Sequence, residues 1–290
     1  MDRWLDRAAA RRGFEATSGP DVLAREVENR LAERLQYIKL EPQRIVDAGC
    51  GASSATLHLR QRYPDAVIHG VDSSFNALRH ARAPANWLGR LRGVFHSPRE
   101  HWVAADMTHL PFAPGSCDLL WSNLSLAWAG DPLACFKEWK RVLRVGGLVM
   151  FTTYGPDTLK ELRFAFAEDP FPHVHPFIDM HDLGDMMVAS GFAEPVMDME
   201  MLTLTYGDVP AMLGELRATG QVNAHCGRRR ALTAKGRWAQ MTTRYAAMAR
   251  EGRIPATFEI VYGHAWKPAP REIADGRRII EFKTRPGAHE

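Results

Sequence analysis

Over residues 21–38 the apolar positions Leu23, Val27, Leu31, Leu35 and Ile38 recur at spacings of four, four, four and three. That spacing predicts an amphipathic helix, with Asp21 after Pro20 at its start. Short apolar runs then alternate with helical stretches. Strand character is expected at 45–46, 66–72, 102–106, 117–123 and 148–154, and helix at 52–63, 73–83 and 131–144, the last broken by Gly146 and Gly147. Such alternation of short strands with helices means βαβ units and a mainly parallel sheet covered on both faces. Residues 84–101 carry Pro84, Gly89, Gly93 and Pro98 and are expected as a surface loop or insertion.

The second half is punctuated differently. Helices are expected at 156–167 and 179–192, a long strand at 194–206, a helical stretch at 207–255 and a strand at 256–266. The tail beyond Lys267 holds several prolines and one short strand candidate, RRIIEF. The stretch 207–255 is basic: nine Lys and Arg stand against Asp208, Glu215 and Glu251, a net +6 against +3 for the whole chain.

At 290 residues, with 46% apolar and 24% charged positions, the chain has ordinary globular composition. A chain of this size buries enough surface to need no disulfide staples. Cys50, Cys117, Cys135 and Cys226 are scattered without a CxxC pair, which fits reduced thiols and a cytoplasmic location. No run is long and apolar enough for a membrane span. The start MDRWLDRAAARRGFEA lacks the apolar core of a secretory signal, and Asp2, Asp6 and Glu15 argue against a mitochondrial leader. A charge of +3 gives no reason to expect nucleic acid as a partner. His173, His175, His181 and His264 lack a recognisable ligand set, so no metal site is expected.

The chemistry concentrates at strand ends. The first strand runs into Asp47-Ala48-Gly49-Cys50-Gly51, a glycine turn that lets a ligand approach the backbone. Asp72 ends the second strand, where an acid binds ribose hydroxyls, and Ser73 follows it. Asp106 closes the third strand beside Met107, in reach of an adenine amino group, and Asn123 closes the fourth. Open α/β sheets bind ligands at these carboxyl ends. After Gly51 comes Ala52-Ser53-Ser54, without the third glycine that seats a pyrophosphate. That suits a nucleoside ligand without phosphate, such as S-adenosylmethionine, whose sulfonium matches an acidic pocket.

The blocks VDAGCG, HGVDSS, VAADMTHLPFAPGSCDLLWSNLSLAW and FKEWKRVLRVGGLVMFTT together resemble the class I S-adenosylmethionine-dependent methyltransferases. With FTTYGPDTLKEL, DMHDLGDMMVASGF and IPATFEIVYGHAWKP, the chain from about residue 20 to 268 resembles the biotin-synthesis malonyl-acyl carrier protein O-methyltransferase (BioC) family. Two features depart from that family. Gly51-Ala52-Ser53 stands for Gly-Thr-Gly, and the run from Phe14 to Val22 replaces an Ala-Ala-x-x-Tyr-Asp element.

The resemblance implies an α/β, Rossmann-like class I methyltransferase fold: a seven-stranded, mainly parallel sheet with helices on both faces and a helical insertion before the last strand. It implies an N-terminal helical cap (1–40), a cofactor-binding core (41–206), a basic helical lid (207–255), and a last strand and tail (256–290). The implied reaction is O-methylation of the free carboxyl of malonyl-acyl carrier protein, with S-adenosylmethionine as donor. A carboxylate nucleophile is ionised at neutral pH, so positioning groups are expected rather than a general base. Tyr154, Thr158, Asn123 and one arginine of the insertion are candidates, and Arg228, Arg229 and Arg230 are candidates for docking an acidic carrier protein. Three other readings share the scaffold: a methyltransferase of a quinone or lipid-type small molecule, a protein-arginine hydroxylase or assembly factor, and a non-catalytic binder.

Overall fold

The computed structural model describes residues 4–17, 21–52, 55–82 and 99–270. Seven strands form one sheet in the order β3-β2-β1-β4-β5-β7-β6: β1 Arg44–Ala48, β2 Val67–Asp72, β3 Glu100–Ala104, β4 Cys117–Ser122, β5 Leu143–Tyr154, β6 Ala193–Tyr206 and β7 Ile254–Trp266. Strands β1 to β5 pair in parallel, and β7 runs antiparallel to both β5 and β6. The chain therefore has the α/β, mainly parallel fold expected from its sequence. Chain order reverses between β1 and β4, so their carboxyl ends flank a crevice.

Alternation along the strands fills two cores. In β4, Leu119 and Trp121 face one side and Leu120 the other, because successive side chains point to opposite faces. The first face is covered by α2 (Val22–Leu35), through Leu23, Val27, Leu31 and Leu35. The second is covered by α5 (Pro132–Val142), which presents Phe136, Trp139 and Val142, and by α7 (Met180–Ala189), which presents Leu183 and Met187. Local signals set the helix starts. The Ala24 N–H donates to Asp21 at 2.8 Å, and the Ala134 N–H donates to Asp131 at 3.0 Å just ahead of Pro132. Such caps satisfy amides that the first turn leaves without a partner. The remaining helices are α1 (Arg7–Glu15), α3 (Ala55–Arg62), α4 (Phe75–Arg82), α6 (Lys160–Ala165), α8 (Val209–Ala218) and α9 (Lys235–Ala246).

Several boundaries differ from the sequence pattern. The helix at 131–144 ends at Val142, and β5 begins at Leu143 rather than 148. Leu143 pairs with Cys117 while Leu148 pairs with Leu119, so Gly146 and Gly147 form a bulge inside the strand edge. The helix expected at 156–167 shrinks to α6, because Asp157 and Thr158 are tied to Glu259 of β7. The stretch 207–255 is two helices joined by an irregular segment at 219–234. The loop expected at 84–101 falls mostly, and RRIIEF wholly, outside the described residues.

Candidate active site

A cavity of about 710 Å3 opens at the carboxyl ends of β1, β2, β4 and β5, within the roughly 300–1,000 Å3 range of small-molecule sites. Asp47, Gly49, Gly51, Asp72, Ser73, Asp106, Met107, Asn123 and Tyr154 all line it. Nine positions spread over more than a hundred residues of sequence meet in one space because the parallel strands all end on the same side.

The turn after β1 is held against β2: the Gly49 and Cys50 N–H groups donate to the Val71 carbonyl at 2.7 and 3.0 Å. Gly49 adopts φ +79°, and a Cβ there would overlap the Ser125 side chain. Gly51 adopts φ +55°, and a Cβ there would meet only open space. The first glycine is thus needed for packing, whereas the second keeps a wall bare so that a ligand reaches the backbone.

Each oxygen of Asp72 accepts one backbone N–H, from Gly51 at 2.9 Å and from Ser74 at 2.7 Å. A carboxylate has about four acceptor sites, so both oxygens keep capacity for a pair of ligand hydroxyls. Burial pushes the Asp72 carboxyl up, against the pull of those N–H groups. Asp106 is in the opposite state. Burial raises it, but the Thr108 N–H and hydroxyl and the Arg7 guanidinium outweigh that and hold it low.

Asp47 is 1% exposed, and its Oδ2 atom has no hydrogen-bond partner among the described residues. Burial, with Asp72 nearby, pushes it up to about 8. Glu28 of α2 is also 1% exposed, accepts from Trp121 Nε1 at 3.0 Å, and is raised well above the carboxylate range by burial and by Asp47. Two buried carboxyls with no cation between them among the described residues make a place for a positively charged ligand group. The pattern fits a nucleoside carrying a cationic tail and no phosphate. Asp72 would hold the sugar, Gly51 would leave room for it, and Asp47 and Glu28 would face the cation.

Asn123 and Tyr154 take narrower parts than their positions suggested. The Asn123 amide donates to the Ala24 carbonyl at 2.8 Å and accepts from Thr152 Oγ1 at 2.6 Å, tying α2 to the ends of β4 and β5. Tyr154 is buried between Phe177 and Phe258, with its hydroxyl toward Asp21 and Gln221; burial and the Asp21 charge push it well above the usual phenol range. Thr158 bonds the Glu259 backbone and is not a wall of the cavity. No insertion arginine lines the cavity among the described residues; the insertion contributes Thr219 and Gln221 instead. Cys50 is a buried packing thiol pushed up by burial and by Asp47 and Asp72.

The three successive arginines do not form one outward patch. Arg228 pairs with Asp6 at 2.9 Å, and Arg229 pairs with the buried Asp169 at 3.1 Å and lies over Phe171. Arg230 is exposed. His175 accepts the Ala224 N–H at 2.9 Å and is pushed down to about 4 by burial and by His225.

The sequence pattern did not reveal the helical wall. Asp21, Arg25 and Glu28 of α2, Arg7 of α1 and Gln221 all line the cavity. Glu28 carried a signal: it is an acid beside Val27, at the border of an otherwise apolar helix face.

A family profile described as a methyltransferase domain matches residues 46–151. The malonyl-[acyl-carrier protein] O-methyltransferase of Gallionella capsiferriformans is 47% identical over 96% of each chain. The protein of the same name from Laribacter hongkongensis is 48% identical over 96% of this chain and 93% of its own. Among solved structures, YcgJ of Bacillus subtilis matches with a TM-score of 0.58 at 15% identity, covering 85% of this chain and all of its own. The [4+2]-cyclase SpnF matches at 0.52 and 20% identity, over 84% and 81%. At such identities the structural likeness establishes the fold alone.

Proposed function

The chain belongs to the malonyl-[acyl-carrier protein] O-methyltransferase family, and from that premise we propose that it esterifies the free carboxyl of a malonyl group carried on an acyl carrier protein. S-Adenosylmethionine is its methyl donor, and biotin synthesis is the setting the sequence resemblance implies. One observation carries this reading: the strand-end residues expected to bind the donor line a single cavity that pairs a ribose-type acid with an unneutralised buried acid. The match to the Gallionella protein extends over 96% of the chain.

When bound, the donor supplies an electrophilic methyl group on a sulfonium. Asp72 and the bare backbone at Gly51 hold its nucleoside, and Asp47 and Glu28 face its positive end, whose charge favours their ionised form. The acceptor carboxylate is ionised without help, since ordinary carboxyls titrate near about 4. No residue is therefore asked to remove a proton, and the protein's task is alignment and exclusion of water. The α1 helix serves the second task. Arg7 pins it to Asp106 at 3.1 Å and to the Ala129 carbonyl at 3.1 Å, and Phe14 packs edge-on against Trp128. The acceptor end lies at Tyr154, Asp21 and Gln221, at the end of β5.

For docking of an acidic carrier, Arg230 is the member of the triplet that remains presented outward, which supports a contact there. No helix among the described residues is long and apolar enough to cross a membrane. The free cysteines support a cytoplasmic placement.

The test is mass spectrometry of malonyl-acyl carrier protein incubated with enzyme and donor. One added methyl, removed by esterase, is the expected result. Arg230→Glu should raise KM for the carrier-bound substrate about threefold, the scale of one exposed charge pair, and leave a carrier-free malonyl thioester unaffected. Methylation only of a free small molecule, oxygen added to a partner protein, or binding without turnover would each overturn the proposal.

A further inference from the structure

The face that α2 turns to the cavity is not the one that builds the core. Leu23, Val27 and Leu31 pack on the sheet, while Asp21, Ala24, Arg25 and Glu28 line the cavity. Spacings of three and four residues place the last group on one stripe of the helix. That stripe carries the buried Glu28 and, about one turn toward the helix start, the exposed Arg25.

The charge around the cavity is unequally satisfied. Five carboxyl side chains line it: Asp21, Glu28, Asp47, Asp72 and Asp106. The described lining includes three arginines and neither lysine nor histidine. Arg7 is committed to Asp106 and the Ala129 carbonyl. Arg11 faces Glu15 at 3.5 Å. The Arg25 guanidinium has no ion-pair or hydrogen-bond partner among the described residues, although it stands one turn from Asp21 and about one turn from Glu28 on the same helix.

The other two arginines of the lining already face carboxylates, Asp106 and Glu15, so Arg25 is the one described cation of the cavity left for a ligand carboxylate. An unshared guanidinium offers five N–H donors in a fork that matches a carboxylate's two oxygens. We propose that Arg25 is the carboxylate receptor of this cavity. The inference rests on the proposed reaction, in which two carboxylates enter: the one at the amino-acid end of the methyl donor and the free one of the acceptor. If Arg25 holds the acceptor's, it reads the charge that esterification removes, so the neutral ester product loses the contact that bound the substrate.

The experiment uses the full chain with Arg25→Gln and Arg25→Lys. Calorimetry measures binding of S-adenosylhomocysteine and of methylthioadenosine, which keeps the nucleoside but lacks the carboxylate. Steady-state kinetics measure KM for malonyl-acyl carrier protein and for a carrier-free malonyl thioester. Loss of one charge-assisted contact predicts a weakening of at least about tenfold in Arg25→Gln, with Arg25→Lys in between. If the acceptor's carboxylate is the ligand, KM rises for both malonyl substrates and S-adenosylhomocysteine binds as before. If the donor's is the ligand, S-adenosylhomocysteine weakens and methylthioadenosine does not. Either pattern supports the receptor. Changes below about twofold in every measurement overturn it, as does a loss confined to the carrier-bound substrate, which would make Arg25 a docking contact. Should the glutamine variant melt early, the same measurements on Arg25→Lys decide the question. A wild-type enzyme that methylates neither malonyl substrate refutes the proposed reaction instead, and the calorimetric arm still decides the role of Arg25.

Discussion

On the sheet side of the cavity, polar groups are held chiefly by backbone. The N–H groups of Gly51 and Ser74 fix Asp72, that of Thr108 fixes Asp106, and the Val71 carbonyl takes those of Gly49 and Cys50. On the helix side, apart from the Ala24 N–H that caps Asp21 at 2.8 Å, the ties run chiefly through side chains or are missing. Glu28 accepts from the Trp121 indole, Asp21 from the Gln221 amide at 3.3 Å, and the Arg25 guanidinium has no partner among the described residues. Backbone-held groups are rigid and set in advance, which suits a donor that is the same in every turnover. Side-chain-held groups on helices adapt, which suits an acceptor that arrives on a carrier and leaves without its charge.

The largest effect that would break this contrast comes from the sheet wall. Gly49→Ala places a Cβ at φ +79° against Ser125. Left-handed strain and overpacking together predict a loss of about 2–4 kcal/mol in unfolding free energy. S-Adenosylhomocysteine uptake should be lost with it. Denaturant melts and calorimetry read both, and an alanine variant that binds and melts normally would show that the turn is not a fixed wall.

A smaller effect sharpens the contrast at the boundary between the walls, where Asp47 meets Glu28. Folding raises the Asp47 carboxyl from 3.8 to about 8. Between those values the folded state holds a proton that the unfolded chain has released. Stability of the ligand-free protein therefore falls as pH rises from about 4 to about 8, and levels off above. The expected slope is on the order of 1 kcal/mol per pH unit. Asp47→Asn should lack this contribution, so its melting temperature gains on the wild type between about pH 4 and about pH 8 and no further above. Parallel curves for the two proteins would mean that Asp47 is not a buried, unpaired acid.

The two walls also differed in how far the sequence disclosed them. Gly49, Gly51, Asp72, Asp106 and Asn123 were legible because each follows a strand, and in a parallel sheet all strand ends share one edge. The helix wall has no such rule. Asp21 and Gln221 meet across 200 residues of chain; the sequence marks Asp21 only as a helix start and does not mark Gln221. Arg228 and Arg229 read as a surface patch because their partners, Asp6 and Asp169, lie 222 and 60 residues away. The bulge at Gly146 and Gly147 was misplaced for a related reason. Glycines end helices and also mark bulges, and only the pairing of Leu143 with Cys117 separates the two. Glu28 is the instructive case: an acid at the edge of an apolar stripe is a visible local conflict, and such conflicts gather at functional sites.

The proposed function depends on Asp72 gripping the donor's nucleoside through acceptor sites that the backbone leaves open. Isothermal titration of S-adenosylhomocysteine into wild type and Asp72→Ala tests it. The wild type should bind one equivalent, and the variant should bind at least about a hundredfold more weakly, the cost of two charge-assisted hydrogen bonds, while keeping its fold by circular dichroism. Equal affinity in the two folded proteins, or no uptake by the wild type, would contradict that dependence.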